Sequence, residues 1–213
     1  MRKYLLPEIL ALVVVFVGTL VLVRGLANRS SRDASNPSKS LRIRAQNKGA
    51  AVVGAEPRNL KKYDELRSLA NDSATIVTGT VGSSVSSLLQ PSETLVVTDY
   101  LVSVDEVFKG NTASGKNMTV REPGGHVELG NGTSAEVQMP EYWKQPQTGE
   151  KYIFFLKNRS DGTFSLVGGP QGLFKFSEGK VTPQMRPDDK LMQTYNGKSG
   201  VSFLKELRDA IKH

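Results

Sequence analysis

Between Ala74 and Pro183 the chain is a succession of short runs rich in Val, Thr, Ile and Phe, punctuated by Gly, Pro, Asn and Asp. The runs are "ATIVTGTVGSSVSSL" (74–88), "TLVVTDYLVSVDEVFKG" (94–110), "NMTVRE", "SAEVQM", "EKYIFFLKN", "TFSLVGG", "GLFKF" and "GKVTP". Tyr100, Val102 and Val104 alternate with polar neighbours, the two-residue period of a half-buried strand. The turn clusters come at short intervals, so the pattern predicts a small antiparallel barrel or sandwich. "SDG" (160–162) and "SEG" (177–179) fit hairpin turns. Helical spacing appears only at the flanks. Leu60, Tyr63, Leu66, Leu69 and Ala70 follow Pro57, and Val201, Leu204, Leu207 and Ile211 close the chain.

The opening is of another kind. Ile9 to Val23 carries no charge, and extended back to Tyr4 the run is interrupted only by Glu8. A helix of about 20 residues spans roughly 30 Å, the hydrocarbon thickness of a bilayer. Arg2, Lys3 and the small residues of "GLA" (25–27) also suit a cleaved signal peptide. Arg24 directly before that site, and the length of the run, favour a retained signal anchor. Counting Lys and Arg alone would put the side after the span inside the cell. Residues 28–56, rich in Ser, Asn, Arg, Lys and Ala without periodicity, read as a flexible basic tether, either solvated or lying on anionic headgroups. The expected organisation is therefore an anchor or signal segment (1–27), a tether (28–56) and a β-barrel domain with a helix at each end (57–213).

The formal charge of +7 over 213 residues belongs mostly to the first part. Residues 1–56 hold nine Lys/Arg against three Asp/Glu, a net of +6, and residues 57–213 hold nineteen against eighteen, a net of +1. A phosphate-binding footprint needs cations gathered on the folded surface, so nucleic acid is not an expected partner.

The chain has no cysteine, which excludes disulfides, a thiolate nucleophile and any Cys-containing zinc site. No HExxH motif and no acidic calcium loop is present, and "RPDDK" (186–190) offers only adjacent carboxylates. No metal or cofactor is expected. A Ser-His-Asp arrangement would have to use His126, because the other histidine is the last residue, and no GxSxG elbow exists. The Gly-rich stretches "EPGGHVELGNG" (122–132) and "VGGPQG" (167–172) lead into strand-like sequence rather than helices, so they read as turns and not as phosphate loops. His126 reads as an exposed turn residue without partners. Glu122, Glu128, Glu136, Glu141 and Glu150 read as a solvated face. Tyr142 and Trp143, in "PEYWKQPQTGEKY" (140–152), are the candidate partner-binding residues, weighed against covering an open end of the barrel.

"SATIVTGTV" followed by "DYLVSVDEVFKG" resembles the opening hairpin of netrin-like domains, the fold of tissue inhibitors of metalloproteinases. Ala74, Val77, Gly79 and Val81 match its first strand. Tyr100, Val102, Val104, Val107, Phe108, Lys109 and Gly110 match its second. "VREPGG", "GEKYIFFLKN" and "GGPQGLFKF" resemble uncharacterised exported bacterial β-domains of the same plan, so the likeness covers about residues 73–182. It implies an OB-like (netrin-like) β-barrel with flanking helices at the cell envelope, outside the cytoplasm. The inhibitors' activity depends on an N-terminal cysteine that this chain lacks, so no residue role carries over. The expectation is a membrane-anchored, non-enzymatic extracytoplasmic binding or scaffold module. It would hold the bilayer through residues 4–23 and another envelope protein through its folded domain. The alternative is an envelope hydrolase using Ser and Lys, or carboxylates, on the barrel surface.

Overall fold

Residues 40–57 and 60–212 are described by a computed structural model. The apolar run at 4–23 and the first part of the tether lie outside them. No helix among the described residues is long and apolar enough to cross a membrane. In chain order the elements are α1 (Leu41–Lys48), β1 (Ala50–Gly54), α2 (Leu66–Asp72), β2 (Thr75–Leu89), β3 (Val96–Lys109) and β4 (Asn117–Pro123). They continue with β5 (Gly125–Gly130), β6 (Thr133–Gln138), β7 (Lys151–Asn158) and β8 (Phe164–Leu166). A 3-10 turn (Gly169–Gly172), β9 (Leu173–Ser177), β10 (Lys180–Pro183), α3 (Lys190–Tyr195), β11 (Lys198–Ser199) and α4 (Gly200–Ile211) complete the chain.

Five of these strands close a barrel. β2 pairs antiparallel with β3 and with β7, β3 pairs with β4, and β7 pairs with β8. The ring is completed by one parallel contact between β4 and β8, with Val120 opposite Phe164. β9, β10 and β11 extend the sheet outward from β7. The protein is therefore mainly β, with a closed five-stranded barrel and a few flanking helices.

β7 explains the unbroken apolar run "YIFFL". Tyr152, Phe154 and Leu156 point into the barrel beside Val77, Val102 and Val120, while Ile153 and Phe155 face the helices. A strand buried on both faces shows no alternation. The outer layer gathers Phe155, Phe174, Tyr195 and Phe203 under α3 and α4, with the Phe174 and Phe203 rings 5.1 Å apart and Tyr195 edge-on to Phe203 at 5.2 Å. Burial of each such ring contributes about 2–3 kcal/mol. Lys109 caps the C-terminus of α2, its Nζ donating to the carbonyls of Ala70 at 2.8 Å and Asn71 at 3.1 Å.

Four expectations need correction. The helix predicted from Leu60 begins only at Leu66, because the amide of Gln171 takes Tyr63 out of helical bonding. Tyr63 N–H donates to Gln171 Oε1 at 2.9 Å, and Gln171 Nε2 donates to the Tyr63 carbonyl at 3.0 Å. The second half of the predicted tether is folded. Ser40 caps α1, β1 runs parallel to β6 in a three-stranded sheet with β5, and α1 packs Leu41 and Ala45 against Ala51, Ala135 and Val137 of that sheet. "GHVELG" is a strand, not a turn, and His126 stands opposite Glu136 in it. Finally, α4 buries Phe203, Leu207 and Ala210 and leaves Val201 81% exposed, since Gly200 seats the first turn against the Phe176 ring.

Candidate binding site at the Trp143 end of the barrel

Residues 139–150 connect β6 to β7 as a strap across one end of the barrel, and three side chains pin it. Trp143, 6% exposed, donates its indole N–H to Glu122 Oε2 at 3.1 Å. Tyr100 donates its hydroxyl to Gln145 Oε1 at 2.9 Å, and Gln145 Nε2 donates to the Pro123 carbonyl at 2.7 Å. The backbone N–H of Gln147 donates to the Tyr152 hydroxyl at 3.1 Å, which itself donates to Glu150 at 2.6 Å. The strap is thus bound to β3, β4 and β7.

Glu122 is the most unusual group here. It lies at the end of β4 with 1% of its surface exposed, so the expectation of a solvated carboxylate is corrected. Alternation along β4 turns Met118, Val120 and Glu122 inward, and the strap and β8 then close over the last of them. Burial pushes its carboxyl up to about 8, against the opposing effect of the Trp143 N–H and the backbone N–H of Leu166. At neutral pH the group is mostly protonated. Burial, and then the proximity of Glu122, push the Tyr100 hydroxyl up to about 12.

The "GGPQG" stretch forms the adjoining wall. Gly168 and Gly169 hold φ of +67° and +61°. A Cβ on Gly168 would lie 2.9 Å from the Tyr63 ring, and one on Gly169 would lie 2.6 Å from the Trp143 ring. Only glycine meets both the backbone conformation and the close approach. The following turn carries Gln171, 4% exposed, which clasps Tyr63 as described above. "EPGG" plays a similar part, since Gly125 has φ +124° and a Cβ there would meet Thr98 Oγ1.

On the outer side of the strap stands Tyr142, half-buried, with the Arg186 guanidinium 4.3 Å from its ring centroid. The Tyr142 ring borders two cavities. The smaller, about 220 Å³, is lined by Leu60, Lys61, Lys62, Gln171, Arg186 and Asp189 among others. The larger, about 520 Å³, is lined by Lys144, Pro183, Met185, Pro187 and Met192. Tyr142 lines both, so they are neighbouring lobes of a groove that meet at this residue, and Arg186 lines the smaller.

The two candidate partner-binding residues therefore part company: Tyr142 faces the groove and Trp143 holds the strap from inside. Other residues singled out in the sequence lie elsewhere. His126 is exposed, and its Nε2 is 2.8 Å from Glu128 Oε1, so it has a partner after all. Glu136 is bonded by Gln138 Nε2 at 2.8 Å on the same sheet. Glu141 lines the larger cavity, and Glu150 pairs with Lys175 at 2.5 Å. Asp189 precedes α3, its side chain 9% exposed and 3.6 Å from Lys62. Among the described residues no three His, Asp or Glu side chains converge as a metal site would need. Sequence reasoning missed Glu122, Gln145 and Gln171 as parts of one assembly. The available clue was that "EPGG", "EYW" and "GGPQG" each break the strand pattern.

Compared with known proteins, the chain matches no family model and no curated protein.

Proposed function

We propose that this chain is a membrane-anchored, non-enzymatic binding or scaffold module acting outside the cytoplasm, with the groove around Tyr142 as its binding surface. One observation carries the reading. Tyr142 stands partly buried between two cavities while its neighbour Trp143 is locked inward by Glu122. An aromatic presented on a clamped loop has little freedom left to lose on binding, which suits an interface anchor. A five-stranded barrel closed by one parallel pair is in keeping with an OB-like barrel of netrin type. The apolar run at 4–23 supports attachment to the bilayer.

The test is photo-crosslinking in producing cells, with a photoreactive phenylalanine analogue at position 142 of the full chain. A discrete protein adduct that disappears with Arg186→Ala supports the reading. No adduct at 142, or turnover of ester, peptide or glycan substrates that one Ser or Glu substitution abolishes, would replace it.

A further inference from the structure

We infer that the groove takes an extended acidic peptide segment of a partner protein, with an apolar or proline side chain in the larger lobe and a carboxylate in the smaller. This rests on the groove being the binding surface, and it adds the class of ligand.

Charge is the first argument. The smaller lobe brings Lys61, Lys62 and Arg186 together against one lining carboxylate, Asp189. Residues 57–213 as a whole are nearly balanced, nineteen cations to eighteen anions, so this is a local excess. Lys61 is paired with Asp72 and Lys62 lies near Asp189, but among the described residues no carboxylate lies within 4 Å of Arg186. Its guanidinium is held over the Tyr142 ring. Its strongest interaction is with Tyr142, and Asp188 and Asp189 act on it only by longer-range attraction, so its planar fork can take a carboxylate with two parallel hydrogen bonds.

Shape and chemistry of the other lobe give the second. Pro183, Met185, Pro187 and Met192 line it beside the aromatic face of Tyr142. Methionines repack around varied apolar side chains, and aromatic and proline walls suit extended or polyproline chains. Two residues of extended chain advance about 6–7 Å, enough to place alternate side chains on the two sides of a tyrosine ring. A phosphate headgroup would satisfy the cations and leave the larger lobe unfilled. A peptide fills both.

The experiment pans a random dodecapeptide phage library on the full chain held in phosphatidylcholine nanodiscs. Enriched sequences should carry Asp or Glu within one to three residues of Pro, Leu or Met. The corresponding synthetic peptides should bind at least tenfold more weakly to Arg186→Ala and to Tyr142→Ala, and Val201→Ser, on the exposed first turn of α4 and lining neither cavity, should bind as the parent does. Replacing the acidic residues by Asn or Gln should cost a similar factor. Enrichment of non-acidic sequences that still need Tyr142 overturns the ligand class and leaves the binding module standing. No enrichment at all overturns both. Binding of phosphatidylglycerol vesicles that depends on Arg186 and excludes the peptides would assign the groove to lipid and overturn the inference. Thermal melts of each variant show that the comparison is between folded proteins.

Discussion

The indole N–H of Trp143 donates to the carboxyl of Glu122 across 3.1 Å, at a point where both side chains are buried. The bond ties residue 122 of the barrel wall to residue 143 of the strap, and the same carboxyl accepts from the backbone of Leu166 on β8. β4 and β8 share a single register pair, so this carboxyl reinforces the barrel where its backbone pairing is thinnest. It also decides where Tyr142 stands.

The first prediction concerns pH. Glu122 has an ordinary value of 4.5 and a folded value of about 8, so the native state holds this proton more tightly than the unfolded chain does. The stability this contributes is fully present below about 4.5 and is lost as pH rises through about 8. The total swing is at most about 5 kcal/mol. Melting the parent and Glu122→Gln between pH 5 and 9 should show a decline across that window in the parent that the Gln variant lacks. Parallel profiles would mean that the proton is not held by burial.

Trp143 is the only tryptophan, so its fluorescence reports the strap directly. Trp143→Phe keeps much of the apolar contact and removes the N–H, leaving Glu122 one donor short, which should cost about 1–3 kcal/mol. Trp143→Ala adds a cavity and should cost about 3–5 kcal/mol. Denaturant titrations followed by circular dichroism give both numbers. In the parent, the emission should shift to the red on unfolding, because the indole starts buried.

Glycine substitutions separate backbone conformation from crowding. Gly162 and Gly179 have φ of +81° and +70° with open space where a Cβ would go, so alanine there should cost only the strain, about 1–2 kcal/mol. Gly168→Ala and Gly169→Ala add contacts of 2.9 Å and 2.6 Å with the Tyr63 and Trp143 rings. Overpacking adds a further 1–3 kcal/mol or so. Thermal melts should therefore rank the second pair clearly below the first. Equal losses would show that the rings yield.

Arg121 works the opposite face of β4. It holds Asp99 on β3 through Nε at 2.6 Å and Nη2 at 2.7 Å, and reaches Asp161 in the β7–β8 turn at 2.6 Å. Asp99 is 7% exposed, so Arg121→Met should strand a buried carboxylate and cost about 2–4 kcal/mol. Arg208→Met breaks an exposed pair with Glu106 and should cost under about 1 kcal/mol. Urea midpoints of the two variants make the comparison.

What was legible in the sequence follows from how local each cause is. The strands β2, β3, β4, β6, β7, β8, β9 and β10 follow from local runs of strand-forming residues bounded by turn residues, with a period of two plain in β3, and the last helix from a period of 3.6. The burial of Glu122 depends on Trp143, twenty-one positions away, and the loss of helix at Tyr63 depends on Gln171, 108 positions away. No window on the sequence contains such pairs. β1 escaped for a different reason: five residues with only Ala51 and Val53 turned inward carry too little pattern to stand out from a linker.

That last element allows a decisive truncation. If residues 40–56 were a tether, chains beginning at residue 40 and at residue 57 would be equally stable. In the structure β1 pairs along the edge of β6 and α1 packs on the face of that sheet, with Leu41 2% exposed against Ala135 and Val137. Burying one leucine contributes about 2–3 kcal/mol, and Ala45 and Ala51 add to it. Removing the segment leaves β5 and β6 as a two-stranded ribbon, marginal by itself in water, with the edge of β6 open to other chains. The chain beginning at 57 should therefore melt at least several degrees lower and lose amide protection in β6. It should also associate at concentrations where the longer chain stays dispersed. Sedimentation and hydrogen exchange on the two chains read both effects, and identical behaviour would return residues 40–56 to the status of a linker.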